Sequence, residues 1–414
     1  MFIFVLMYER LTVKRDSAAA ESLFQYCGGG FMRKLYDSVK TAVFIDRPNR
    51  FIVHVLMDGK RVTAHMPNPG RMRELLFPGA VLYVTPHGGD ESKTHFRVIG
   101  ADRRGTAVFL DTMRCNDVAA ALIQGKCIPG WEKYHIEDRE VTMGDSRFDL
   151  LLSGEGHRFP VEVKSCTLFS RNGAMFPDAV TARGQKHLRH LSDMGRKKEH
   201  AGLLFLVQWD KARWFLPDYH TDPEFARAFL EGAPFIDWKA AAVHWTPDFL
   251  MPDQVSLLPC PMNILRKEAG NRGDYFLILR LDESKEVEIG RLGNIYFQKG
   301  YYVYVGSARK NLRQRLERHK RIRKNFHWHI DYLRNVSEFA AAVPVCTSDD
   351  LEHTMAQALA SIAEWKIPGF GCTDCRCRSH LFGMKSNPLE NRAFIEMVED
   401  FRMNRLNSQI GKGL

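Results

Sequence analysis

The chain has 414 residues, 59 Lys and Arg against 49 Asp and Glu, 45% apolar residues and nine cysteines. At about 150 residues per domain this length suggests two or three domains and excludes a small scaffold held by disulfides. The balance of charged and apolar residues excludes a disordered chain, and the net charge of +10 points toward polyanions.

Residues 1–40 read as an N-terminal extension. Their first thirty show no clear period and end in Gly28-Gly29-Gly30, so this is a flexible tail or an over-long start with Met32 as the true initiator. Phe2 to Tyr8 is too short to cross a bilayer, and it lacks the basic flank and cleavage site of a signal peptide. The cysteines are odd in number and scattered, unlike a secreted disulfide framework. A cytoplasmic protein with reduced thiols and no membrane attachment is expected.

Residues 41–112 read as strands and turns. Phe51 to Met57 and Arg61 to Met66 flank Asp58-Gly59, a hairpin signal. Ala80 to Thr85, Phe96 to Ile99 and Thr106 to Leu110 complete about five short strands, which suit an OB-like barrel or a plain antiparallel sheet. From 113 to 246 strands and helices alternate. Asn116 can cap a helix; strands follow at Glu140-Val141, Phe148 to Leu152 and Phe159 to Thr167; a helix runs from about Ala179 to Met194. A buried strand at Leu203 to Gln208 and a helix after Asp222-Pro223 complete a mixed α/β domain. Pro247, Pro252, Pro259 and Pro261 mark a linker, 247–271, that makes the last third a separate unit. That unit is an α/β domain, 272–390, with strands at Tyr275 to Leu281 and Tyr301 to Val305, followed by a C-terminal helix or tail, 391–414. The fold class is therefore multidomain α/β.

Glu162 and Lys164 share one face of a strand, and Asp149 lies on the strand before it. Two such carboxylates can hold Mg²⁺ or Mn²⁺, and the lysine can orient or deprotonate water beside a phosphodiester. The alternative is a structural ion pair of Lys164 with either acid. The following helix offers Arg183, Lys186 and His187 to phosphates.

Asp-(x)12-Glu-x-Lys on consecutive strands resembles the PD-(D/E)xK nuclease superfamily. More closely, Ser146 to Asp149, Val161 to Ser165, Phe176 to Leu188, Arg50-Phe51 and Pro67 to Met72 resemble the sugar fermentation stimulation protein A (SfsA) family, over about Asp46 to Trp245. This resemblance implies an OB-like barrel before a nuclease-like domain, DNA binding, and Asp149, Glu162 and Lys164 as catalytic residues with the two acids on a metal. The superfamily often adds an acid nearer the N-terminus, with Glu132 and Glu140 as candidates. The family name reflects a regulatory phenotype, so a non-catalytic DNA-binding regulator of sugar-metabolism genes stands as the alternative to a nuclease.

The last third resembles the GIY-YIG nuclease superfamily over about Asp274 to Phe382. Gly273-Asp274-Tyr275 stands for GIY and Tyr304-Val305-Gly306 for YIG, followed by Asn311, Arg315 and His319. A closer likeness is to an uncharacterised branch with a Cys-rich ending. The resemblance implies that Tyr275 and Tyr304 position or deprotonate water, that Arg315 neutralises phosphoryl charge beside His319, and that Glu352 binds a metal, with Asp349 and Asp350 as competitors.

Nine Lys or Arg lie between Arg309 and Lys324 with only Glu317 opposing. Leu312, Leu316, His319 and Ile322 or Arg323 give the segment one apolar side, so a cationic helix is expected. Arg309, Lys310, Arg313, Arg318, Lys320 and Arg321 are its candidate contacts to DNA, with RNA left open. About five phosphate contacts would give a log K against log salt slope of roughly −4 to −5. His327, His329 and Asp331 suit a metal, a phosphate or a structural hydrogen-bond role. Cys372, Cys375, Cys377 and His380 are candidate Zn²⁺ ligands or buried free thiols.

Overall fold

The computed structural model describes residues 33–89, 93–372, 375 and 377–411. The N-terminal extension up to residue 32, with Met32 and Cys27, lies outside the described residues. Strands β1 (Lys40–Asn49), β2 (Ile52–Met57), β3 (Lys60–His65), β4 (Val81–Pro86), β5 (Phe96–Arg103) and β6 (Thr106–Phe109) form the first domain. Their order is β3-β2-β1-β4-β5-β6, and β3 also pairs in parallel with β5. That extra pairing closes five strands into an OB-like barrel and rules out the plain sheet. Asp58 and Gly59, both at positive φ (49° and 75°), make the two-residue turn whose twist matches the strands it joins.

The second domain opens with α1 (Cys115–Gln124). Its sheet comprises β7 (His135–Met143), β8 (Ser146–Gly154), β9 (His157–Cys166), β10 (Gly202–Val207), β11 (Asp237–Val243) and β12 (Val255–Leu257), in spatial order β12-β11-β10-β9-β8-β7. The central strands β9, β10 and β11 run parallel. Every residue of β10 is buried because helices cover both faces. Val118 and Leu122 of α1 pack with Leu204 and Leu206. Leu188 of α2 (Ala182–Arg196) and Phe225 of α3 (Pro223–Gly232) pack with Leu203 and Phe205. Helix α2 begins at Ala182, later than the sequence suggests, because the Thr181 hydroxyl accepts the Gly184 N–H at 3.0 Å. Such a cap contributes about 1 kcal/mol. Asn116 lies inside α1 and does not cap it.

The proline-rich segment is packed, contrary to its reading as a linker. It supplies β12 and α4 (Met262–Glu268), and buries Phe249 against Tyr83, Phe109 and Trp245. The third domain follows: β13 (Gly273–Leu281), β14 (Gly300–Ala308), α5 (Leu312–Lys320), α6 (His329–Asn335), β15 (Glu338–Cys346), α7 (Glu352–Ala360), β16 (Trp365–Lys366), β17 (Leu381–Met384) and α8 (Arg392–Arg402). Its sheet order is β15-β13-β14-β17-β16.

This domain is not a separate unit. Barrel residue Arg103 donates to the carbonyls of Phe169 and Ser170, both at 3.1 Å, and lies 3.6 Å from Glu399 of α8. The Trp214 indole donates to Asn407 at 2.8 Å, and the Cys346 N–H donates to His220 Nδ1 at 2.9 Å. The stretch 391–414, as far as it is described, is therefore built into the core. Closely spaced prolines interrupt secondary structure, but they place no limit on packing between what they separate. Among the described residues no helix is long and apolar enough to cross a membrane, and the eight described cysteines are free.

Candidate active sites

Strands β8 and β9 pair antiparallel with Leu150 opposite Val161, which brings Asp149 beside Glu162 where the pairing ends. Asp149 accepts the Val163 N–H at 2.8 Å and the Asn116 amide at 2.8 Å. Glu162 is 2% exposed. Its Oε1 accepts Lys164 Nζ and sits 2.5 Å from His187 Nδ1, while Oε2 is buried with no hydrogen-bond partner. Such an orphaned oxygen costs about 1–3 kcal/mol or more. Burial pushes the Glu162 carboxyl up, but the bond to His187 and the charge of Lys164 outweigh it and hold it below the usual range. Burial, and then the charge of Glu162, push Asp149 up. One ionised and one reluctant carboxylate beside an ammonium is an arrangement able to accept a hard cation and a water.

His187 is buried against Glu162, which corrects its reading as a phosphate contact. Lys186 pairs with Asp145 at 2.9 Å, and Arg183 is exposed. Glu132 caps the Gly130 N–H and Glu140 lies 3.8 Å from Arg147. The ion pair of Lys164 with Glu162, offered by the sequence as an alternative to catalysis, is present. Asn116 reaching Asp149 from α1 was not foreseen, since nothing in local spacing links the two.

The second cluster forms around Gly306 on β14. Tyr275 lies across from Gly306 in the β13–β14 ladder. A Cβ added at Gly306 would fall 2.6 Å from the Tyr275 hydroxyl and 2.9 Å from Tyr304 Cε1. Only glycine lets the two rings converge there. The Tyr275 hydroxyl is 2.8 Å from His319 Nε2. Burial raises the Tyr275 hydroxyl well above its ordinary value. Burial, and then Lys324, lower His319 to about 3, so it is a neutral imidazole at pH 7. Arg315 donates to the Ser307 carbonyl at 3.1 Å and stacks over Trp328 at 4.6 Å. Glu352 accepts the Ser307 hydroxyl at 2.5 Å and lies 3.1 Å from His380 Nδ1. Burial pushes Glu352 up, but His380 and Ser307 prevail and hold it low. Two phenols, a guanidinium, a neutral imidazole and a carboxylate thus surround one short stretch, Gly306-Ser307. Asp349 and Asp350 face other partners, Arg405 at 3.2 Å and Arg309 respectively. Tyr302 is a packing residue whose hydroxyl donates to the Gln298 carbonyl at 2.8 Å.

The cationic segment is less free than its composition suggests. Helix α5 ends at Lys320, and Ile322 is exposed. Arg318 holds both oxygens of Asp331, at 3.0 and 2.9 Å, and Lys324 reaches the same carboxylate at 2.8 Å. Asp331 also accepts the N–H groups of His327 and Trp328. Arg318 is therefore structural, against its reading as a DNA contact, and Asp331 takes the structural hydrogen-bond role that the sequence leaves open beside a metal or a phosphate. Arg313 pairs with Glu224 at 2.8 Å, Arg309 with Asp350 and Lys320 with Glu317. Lys310, Arg321 and Arg323 make no ion pair among the described residues. Trp328, stacked by both Arg315 and Arg318, is a platform that sequence spacing did not reveal.

The expected metal set at the C-terminus also changes. Cys372 Sγ donates to the Phe370 carbonyl at 3.4 Å. Its place is taken by His353, from α7, so that His353, Cys375, Cys377 and His380 gather with ligand atoms within 4.8 Å of one another. His353 lies 22 residues before Cys375, too far for a spacing rule to connect them.

Two further motifs meet across 106 residues. In the loop Pro67 to Met72, the Met72 N–H donates to Asp178 at 3.1 Å, and Arg47 donates to the Asn68 carbonyl at 2.8 Å and the Gly70 carbonyl at 2.5 Å. This seam joins the barrel to the second domain.

Residues 45–110 match the SfsA N-terminal OB domain, residues 113–244 the sugar fermentation stimulation protein RE domain, and residues 274–403 the domain of unknown function DUF123. A sugar fermentation stimulation protein homolog of Methanothermobacter thermautotrophicus is 42% identical over 185 residues, covering 45% of this chain and 77% of the relative. The homolog of Clostridium botulinum is 40% identical over 186 residues, covering 45% and 81%. The structure of Pyrococcus furiosus SfsA in complex with Ca²⁺ aligns with a TM-score of 0.50 and 25% identity, over 56% of this chain and 99% of that one.

Proposed function

The chain belongs to the sugar fermentation stimulation protein family, and on that premise we propose that it is a DNA-binding, metal-dependent phosphodiesterase with two reaction centres. The observation that carries this reading is the buried, partnerless Oε2 of Glu162 beside Asp149 and Lys164. The donors are hard oxygens, the type Mg²⁺ and Mn²⁺ take, and the P. furiosus relative was solved with Ca²⁺, a cation of the same preference. Asp149 and Glu162 would hold the cation, which when bound polarises a phosphoryl oxygen and acidifies a water. Lys164, released from Glu162, orients that water through its N–H donors, and His187 keeps Glu162 in place. In the second centre the hydrogen bond to neutral His319 orients the Tyr275 hydroxyl, Tyr275 and Tyr304 position the water, and Arg315 neutralises phosphoryl charge. Glu352 has lone pairs beyond its two hydrogen bonds with which to hold a cation. Lys310, Arg321, Arg323 and Arg183 are the cations that carry DNA contact.

The second reading, a non-catalytic DNA-binding regulator, is favoured by one observation: Lys164 and His187 already compensate Glu162 without a metal. Incubating plasmid, single-stranded and branched DNA with Mg²⁺ or Mn²⁺ separates the two. The nuclease reading expects cleavage that falls in Glu162→Gln, in Tyr275→Phe, and to background in the double variant. Equal background for all four proteins, with DNA binding intact, establishes the regulator. A parallel RNA substrate reports the substrate class.

A further inference from the structure

We propose that His353, Cys375, Cys377 and His380 form a zinc centre that pins helix α7 to the C-terminal loop and, through His380, fixes the carboxylate of Glu352. This goes beyond the nuclease reading and does not rest on it.

The ligand types are those of a closed structural zinc site with two sulfurs and two nitrogens. Two thiolates and two neutral imidazoles balance the charge of Zn²⁺, and the two thiol protons leave to solvent on binding. The distances suit the ion. A tetrahedron with Zn–S of about 2.3 Å and Zn–N of about 2.0 Å has edges of roughly 3.3–3.8 Å. Cys375 Sγ lies 3.5 Å from His380 Nε2, and Cys377 Sγ lies 3.2 Å from His353 Nδ1. All four ligand atoms lie within 4.8 Å of one another, so a small contraction closes the shell.

The surroundings of His380 supply a second, independent observation. With Nε2 turned toward Cys375, its Nδ1 lies 3.1 Å from Glu352 Oε1. A metal-bound histidine whose other nitrogen donates to a carboxylate is the usual arrangement around zinc, because it fixes the tautomer and raises the basicity of the ligand. Glu352 is held from its other side by Ser307, next to Gly306. His353 and Glu352 are consecutive on α7, so a metal here fixes both the backbone that carries Glu352 and the direction in which its side chain points. The same geometry excludes Cys372 from the shell: its thiol turns to the Phe370 carbonyl, although it remains near Cys375 as a free thiol.

The test is metal analysis of the full-length protein purified without chelator, with four single variants. About one zinc per chain is expected in wild type and in Cys372→Ser, and a loss to a small fraction in Cys377→Ser and His353→Asn. Glu352→Gln should retain the site but weaken zinc affinity by about 10- to 100-fold, as loss of an outer partner does. Since a variant could fail to fold, wild type is tested in parallel. Two thiols shielded from a disulfide reagent should become reactive on adding a zinc chelator, and Co²⁺ exchange should give the charge-transfer band of thiolate ligation. Substoichiometric zinc in wild type with no Co²⁺ band, a disulfide joining Cys372 to Cys375 in freshly purified protein, or zinc lost in Cys372→Ser but kept in His353→Asn would each overturn the proposal.

Discussion

His319 Nε2 lies 2.8 Å from the Tyr275 hydroxyl, with the imidazole buried and its Nδ1 4.0 Å from Asp331. A neutral imidazole accepts the phenol's hydrogen bond and so fixes where the hydroxyl points, which apolar surroundings cannot do. Burial is what keeps that imidazole neutral, lowering it from 6.5 to about 3.

The sign of this shift gives a pH prediction. The unfolded chain protonates His319 near pH 6.5 and the folded chain only near 3, so stability falls as pH drops through that window. His319→Gln, which cannot titrate, should show a smaller loss of melting temperature between pH 7 and 4 than wild type. Cleavage by the third domain alone, measured in Glu162→Gln, should show no break between pH 6 and 7 from this histidine.

Asp331 accepts five hydrogen bonds while its side chain is wholly buried. Burial pushes it up, but Arg318 and Lys324 pull it far below the usual carboxylate range. Its stabilisation is present above pH 4 and is lost as pH falls further. Asp331→Asn strands two cations and should cost about 3–5 kcal/mol at pH 7, read by denaturant unfolding. The difference from wild type should shrink below pH 4.

Gly306→Ala places a methyl group 2.6 Å from the Tyr275 hydroxyl. We expect overpacking to cost about 1–3 kcal/mol and the cleavage attributed to the third domain to fall, with the Glu162 centre unaffected. Unfolding measurements and cleavage by the Gly306→Ala variant check the two parts separately.

For DNA binding, apart from Arg315, which is committed to the Gly306-Ser307 site, the cations of the basic segment without an ion pair among the described residues number three, Lys310, Arg321 and Arg323, instead of the about five contacts its charge suggests. That segment should contribute a slope of about −3 to log K against log salt, not −4 to −5. Replacing all three by Gln and repeating the salt titration measures the difference.

Much of this architecture is legible from the chain alone. The hairpin at Asp58-Gly59 reads directly because its signal is local. Asp149, Glu162 and Lys164 read because strand period and adjacency place them together. What escaped depends on contacts far apart in sequence. Asn116 reaches Asp149 from another element, His353 joins the cysteines across 22 residues, and Glu399 meets the barrel's Arg103 from the far end of the chain. Charge composition misled for the same reason: the acids that neutralise Arg313 and Arg318, Glu224 and Asp331, lie outside the basic run. The prolines from Pro247 to Pro261 bound short elements, β12 among them, but give no hint that Phe249 fills the core beside them.

The most direct test of the central claim is an anomalous difference map from crystals of the full chain soaked in Mn²⁺. The account predicts a peak bounded by Asp149 and by Glu162 Oε2, with Lys164 Nζ swung away from Glu162. No peak there at saturating Mn²⁺, with Lys164 and His187 still closed on Glu162, would contradict it.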